Sequence, residues 1–138
     1  MEITIHDSYK LSEIQEDFRK HFPFLKIEFF SFEPGAEKIY SKKHLIKDTL
    51  QSLRDIRHIH FAGPISINGH QKVKTLETNF REQYGIEIQV FRKSGDTWLQ
   101  TSVTDDWTLT EQNKKGEEHD HSSIEKPITE FDEYHEQP

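Results

Sequence analysis

Nine histidines and no cysteine set the range of chemistry open to this chain. Without a thiol there is no cysteine nucleophile, no disulfide and no thiolate zinc site. Histidine carries whatever metal chemistry remains. His58 and His60 stand two residues apart, the spacing that would put both imidazoles on one face of a strand. His6 and His70 fall at corresponding ends of two similar segments, and Asp7 beside His6 would supply a carboxylate to a zinc-type set. The competing reading is a scatter of surface histidines. It is the stronger one, because His6 aligns with Asn68 and no ligand is repeated. The run Glu117-Glu118-His119-Asp120-His121 also suits metals by composition. A flexible tract would lose affinity to the cost of ordering, so it reads as a solvated tail, and no cofactor is expected.

Other residues point to binding. Arg19 and Arg81 occupy the same position in the two segments, each following a phenylalanine. They could grip an anion together, although surface arginines on a helix would look the same. Trp98 and Trp107 with Phe91 could form an exposed aromatic patch, the type of surface enriched at binding hot spots. Asp105-Asp106 could meet a hard cation, but adjacent carboxylates diverge, and capping of a helix start by Asp or Thr is the simpler account. Lys42, Lys43 and Lys47 offer a local basic cluster. Nucleic-acid binding is nevertheless not expected. Residues 1–110 carry 15 basic and 16 acidic side chains, far from the clustered positive surface such binding needs. No phosphate-binding glycine loop, GxSxG elbow, HExxH helix or EF-hand loop occurs. The leaning is away from an enzyme.

The elements that must position these residues come in two similar copies. Ile3 aligns with Ile65, Ile5 with Ile67, Lys10 with Lys72, Leu11 with Val73, Ile14 with Leu76, Phe18 with Phe80 and Phe22 with Tyr84. After a one-residue gap, Ile27 aligns with Ile88, Phe29 with Val90 and Phe30 with Phe91. Each copy predicts strand, helix, strand: alternating isoleucines, then an apolar stripe at spacings of three and four, then a second apolar strand. Pro23 and Gly85 end the two helices. The fold class expected is α+β: tandem duplicated β-α-β units, about 2–31 and 64–92, in a ferredoxin-like sandwich. An extra hairpin strand is expected over about 97–103. Residues 33–60 form an insertion, with a helix predicted over Ser41–Arg54 on the stripe Leu45, Ile46, Leu50 and Leu53. The expected match runs on, Asp48-Thr49-Leu50 with Trp107-Thr108-Leu109, and Gly35 with Gly95 as turns leading to Ile39-Tyr40 and Trp98-Leu99.

The duplicated domain is placed at 1–113 and an acidic, disordered tail at 114–138. From Glu111 onward, nine acidic residues face three lysines, so most of the net charge of −7 belongs there. Ile124, Ile128, Phe131 and Tyr134 interrupt the tail and could dock it. No run of 18 apolar residues predicts a membrane helix, and MEITIHDSYK does not read as a secretory signal. A cytoplasmic location is expected.

The string Gln89-Val-Phe-Arg-Lys-Ser-Gly-Asp-Thr-Trp-Leu99, with Thr104-Asp-Asp-Trp-Thr-Leu109 and Gln112-Asn113, resembles a family of short, uncharacterised bacterial proteins, most closely over 64–116. The resemblance implies a bacterial, cytosolic-type origin and no particular activity. The function expected is a non-enzymatic protein-interaction or self-association module, with a protein partner or homodimer. The alternative is a small enzyme or ligand- or metal-binding protein using a His/Arg cleft between the repeats.

Overall fold

The computed structural model describes residues 1–31 and 44–120, and the architecture over them is mixed α+β. In chain order it runs β1 (Glu2–Ile5), α1 (Leu11–His21), β2 (Leu25–Phe30), a 3₁₀ turn (Leu53–Asp55), β3 (Gly63–Ser66), α2 (Val73–Tyr84), β4 (Glu87–Ser94), β5 (Thr97–Gln100) and α3 (Leu109–Glu118). No helix among the described residues is long and apolar enough to cross a membrane.

The helices form where the stripes predict them. Leu11, Ile14, Phe18 and Phe22 are buried along α1, and Val73, Leu76, Phe80 and Tyr84 along α2. Glu13 Oε1 accepts from Lys10 N at 3.0 Å and ties down the start of α1. Gly85 closes α2 at φ 65°, a left-handed conformation that costs glycine nothing. α1 packs on β2 and α2 on β4, enclosing one apolar core with the inward isoleucines of β1 and β3.

The strand pairing departs from a ferredoxin-like sandwich. That fold would join four strands in one sheet, with β3 between β1 and β2 and β4 beside β1. Here β1 pairs only with β3, and β2, β4 and β5 form a separate antiparallel sheet in the order β2-β4-β5. Residues matched in the sequence face one another across both ladders: Ile3 opposite Ile65 and, at the centre of β2–β4, Glu28 opposite Gln89. The loops follow the same relation. Leu11 N donates to Gln51 O at 3.1 Å, as Val73 N does to Trp107 O at 3.0 Å. Leu53 N donates to Tyr9 O and Leu109 N to Gln71 O, each at 2.9 Å. By these bonds Thr108-Leu109 corresponds to Ser52-Leu53, three residues later than the sequence match to Asp48-Thr49-Leu50 placed it.

The helix predicted over 41–54 is not formed over 44–54. Leu45 bridges Phe30, Ser31 N donates to His44 O at 2.8 Å and Ile46 N to Phe29 O at 2.9 Å, so the chain here is extended along β2. Asp48 Oδ1 then accepts from Leu50 N at 3.1 Å and turns the chain. Leu50 is left 73% exposed. The residues 41–43 of that prediction, Gly35, Ile39 and Tyr40, and Lys42 and Lys43, lie outside the described residues, as does everything beyond Asp120.

α3 continues past Lys114 to Glu118. A full capping box starts it, Thr108 Oγ1 accepting from Glu111 N at 3.1 Å and Glu111 Oε1 from Thr108 N at 2.9 Å. Gly116 lets it approach β2: a Cβ there would lie 2.9 Å from Phe24 Cβ and 3.0 Å from Phe24 O. Asn113 Oδ1 accepts from Phe24 N at 2.9 Å.

Candidate binding surface

The β4–β5 hairpin turns on Gly95, whose φ of 59° a residue with a side chain rarely adopts. Its register sets Lys93 opposite Trp98, and the β2–β4 register sets Lys26 opposite Phe91. Because side chains alternate along a strand, these four stand on one face of the sheet, with Arg92 and Leu99 on the other. α1 brings Arg19 to the same place. The Arg19 guanidinium lies 5.1 Å from the centre of the Trp98 ring, Lys26 Nζ 5.0 Å and Lys93 Nζ 5.2 Å. Lys26 Nζ is also 5.6 Å from the Phe91 ring. Three cations thus gather on one half-buried indole.

Cation–π attraction supplies part of the energy, about 0.5–1 kcal/mol per contact at an exposed site. It does not remove the repulsion among like charges. Lys26 is balanced in part by Glu28 at 3.7 Å. Among the described residues, neither Arg19 nor Lys93 has a carboxylate within 4.0 Å. Beside the ring, a pocket of about 580 Å³ opens between α1 and β2, lined by Gln15, Arg19, Lys20, Pro23, Lys26 and Glu28. Such a surface can hold an anion next to an apolar or aromatic group.

No family model matches the chain, and neither a curated protein nor a solved structure matches it significantly.

The other residues singled out in the sequence are dispersed. Trp107 lies apart from Trp98, on the side of the hairpin that faces α3: the Arg92 guanidinium is 5.6 Å from its ring, and Arg92 Nη1 donates to Gln112 Oε1 at 2.9 Å. Arg81 does not join Arg19. Its Nε is 2.6 Å from Glu87 Oε1, and Glu87 is opposite Phe30, at the far end of β4 from Trp98. Asp106 pairs with Lys74 at 2.5 Å and Lys72 at 4.0 Å, and Thr108 is the helix cap.

The histidines do not converge. His58 and His60 are in a loop rather than a strand, because the chain from Arg57 onward is held by side-chain bonds. Buried Arg57 donates to Asp7 Oδ1 from Nη2 at 2.9 Å and from Nε at 3.1 Å, and from Nη1 to Tyr84 O at 3.0 Å. His60 Nδ1 is 2.9 Å from Asp7 Oδ2, and His60 and Arg57 hold the Asp7 carboxyl below its ordinary value. His6 stacks on Tyr9 at 5.2 Å, His58 lines a separate pocket of about 400 Å³, and His70 is exposed beside Asn68. Among the described residues no three metal-type side chains come together.

Sequence reasoning missed Lys26 and Lys93. The signal was present: Phe91-x-Lys93 alternate, and a two-residue Gly95-Asp96 turn puts Trp98 across from Lys93. It also missed buried Glu77. Its Oε2 accepts from Gln89 Nε2 at 3.0 Å and Val90 N at 3.1 Å, and burial pushes its carboxyl up to about 8.

Proposed function

We propose that this chain is a non-catalytic protein-interaction module whose Trp98 face holds an acidic segment of a protein partner. The observation that carries the reading is the gathering of Arg19, Lys26 and Lys93 on one indole with two of the three cations lacking a described counter-charge. Carboxylates would neutralise the cations, and an apolar side chain would meet Trp98, Phe91 or the neighbouring pocket. A peptide bearing both fits better than a nucleic acid strand, since residues 1–110 carry 15 basic and 16 acidic side chains and offer no extended positive track for successive phosphates.

The test is a titration of a dye-labelled peptide, (Glu-Glu-Phe-Glu)₃, followed by fluorescence anisotropy, with a lysine-for-glutamate peptide as control. Only the acidic peptide should bind, and binding should weaken as salt rises. Trp98→Ala should weaken it by roughly 30-fold, the size of a hot-spot aromatic. Lys26→Glu with Lys93→Glu should abolish it. Equal affinity for the intact chain and both variants would overturn the assignment.

We also infer that the two halves descend from one duplicated β-α-β unit. The paired apolar positions and the matching loop hydrogen bonds support this. Reconstructed ancestral sequences should have halves more alike than residues 3–30 and 65–91 are here; halves that diverge going back in time would rule it out.

A further inference from the structure

We infer that the acidic partner segment binds as an added β-strand along the outer edge of β5, with its carboxylates on alternate residues beside the Trp98 cations. This deepens the reading of the Trp98 face as a site for acidic segments and rests on it.

The backbone pattern of the hairpin leaves that edge open. Antiparallel pairs alternate between those that exchange backbone bonds and those that do not. Thr101 N donates to Val90 O at 3.3 Å, and the same register makes Arg92–Leu99 and Ser94–Thr97 the bonded pairs. Lys93–Trp98 is then a non-bonded pair. Lys93 N accordingly turns the other way, donating to Phe24 O at 2.9 Å. The Trp98 N–H and C=O therefore point off the sheet, away from β4. Among the described residues no strand pairs with that side of β5, and no group bonds the Trp98 backbone there.

Other edge positions of the same sheet are engaged. Along β2, Leu25 N donates to Phe22 O at 3.0 Å, while Ile27 O accepts from Gln15 Nε2 and Phe29 O from Ile46 N, each at 2.9 Å. On β4 beyond the end of β5, Glu77 Oε2 accepts from Val90 N and Thr101 Oγ1 donates to Val90 O. β5 also lacks the usual guards of an exposed edge. Thr97-Trp98-Leu99-Gln100 contains no charge and no proline, and no bulge interrupts its register with β4.

The chemistry of the occupant follows from the face beside this edge. A residue of the added strand directly across from Trp98 shares its face, with Cβ atoms about 5 Å apart. Residues two before and two after it face the same way. On that face Arg19, Lys26 and Lys93 lie within 5.2 Å of the indole centre. An aromatic residue at the central position meets the indole, and carboxylates at the flanking positions meet the cations. Backbone bonds then supply affinity, and the alternate side chains supply selectivity.

The test uses the full-length chain and a dye-labelled peptide, (Glu-Thr)₂-Phe-(Thr-Glu)₂, whose glutamates and phenylalanine share one face when extended. Two N-methylated forms are compared with it, one methylated on the phenylalanine and its two nearest glutamates, the other on the threonines. Only one of these sets can turn its N–H groups toward β5. One methylated form should bind as the parent does, and the other should lose about 30-fold, the worth of two backbone hydrogen bonds. With the parent peptide at ten times its Kd, exchange of the Trp98 amide should slow about tenfold, and that of the Lys93 amide should not change. Equal affinity of the two methylated forms, or unchanged Trp98 exchange, with binding still lost in the protein carrying Lys26→Glu and Lys93→Glu, would overturn strand addition and leave the surface standing. Trp98 amide protection that rises with protein concentration in the absence of peptide would assign the edge to a second copy and likewise overturn it. No binding of the unmethylated peptide would remove both readings.

Discussion

Glu77→Gln should make the protein more stable in mild alkali while changing little in acid. Glu77 is on α2 against β4 and only 6% exposed. Burial raises its carboxyl from 4.5 to about 8; the Val90 N–H partly opposes this and Asp105 adds to it. Since Oε2 already accepts two hydrogen bonds, the proton retained at neutral pH is on Oε1, where the amide nitrogen of glutamine would stand. The folded protein thus keeps a proton that the unfolded chain releases above about 4.5. Its stabilisation is complete below that value and is lost as pH rises through about 8. At about 1.36 kcal/mol per tenfold change, the loss is on the order of 3–5 kcal/mol. Urea unfolding followed by tryptophan fluorescence measures it. Near pH 4 the variant and the natural chain should agree within about 1 kcal/mol, and near pH 9 the variant should be more stable by about 3–5 kcal/mol. Other groups titrate in both proteins and cancel in the difference. A gap of the same size at both pH values would refute the reasoning, because it would mean that Glu77 is ionised in the fold.

Asp7→Asn should be less stable than the natural chain at neutral pH, since it weakens the hold of Arg57 and His60. Asp7 is held below its ordinary 3.8, so the advantage of the natural chain should persist above that value and shrink as pH falls beneath it; unfolding curves across the acid range show whether it does. Gly116→Ala should cost about 1–3 kcal/mol, the penalty of forcing a methyl into a filled contact. The added carbon would meet Phe24 at 2.9 Å. Amide exchange in α3 should rise more than in α2, and equal protection in both would argue against the contact.

Periodicity made the helices and strands legible, because it is a local property of the chain. The stripes Leu11-Ile14-Phe18-Phe22 and Val73-Leu76-Phe80-Tyr84 are buried as their spacing requires. Pairing is not local. Nothing in Ile27 or Val90 alone tells β2 to pair with β4 rather than with β3. The same limit explains the helix misread over 44–54. Leu45, Ile46, Leu50 and Leu53 imitate a helical face, yet Leu45 bridges Phe30, Leu53 is buried in a 3₁₀ turn and Leu50 is exposed. The histidine spacing had value only if 58–60 was a strand. Arg57, bonded to both Asp7 and Tyr84 O, holds that segment as a loop instead.

The face of β2–β4 that carries the cations has two unlike ends. Glu28, Gln89 and Glu87 share that face with Lys26, Phe91 and Lys93. At the Phe30–Glu87 end the polar side chains are buried: Gln89 is engaged by Glu77 and Glu87 by Arg81. That end is closed and its charges are largely matched. At the Trp98 end, Phe91, Lys93 and Trp98 stay partly exposed, and the cations outnumber their described partners. The halves differ here in a way that can be traced to single residues. Where the sequence match sets Lys26 in the first segment against Glu87 in the second, the Glu87 carboxylate pairs with Arg81, whereas Arg19 lies over the indole. The glutamate on β4 thus neutralises one arginine at the closed end, and the lysine on β2 adds a third cation at the open one.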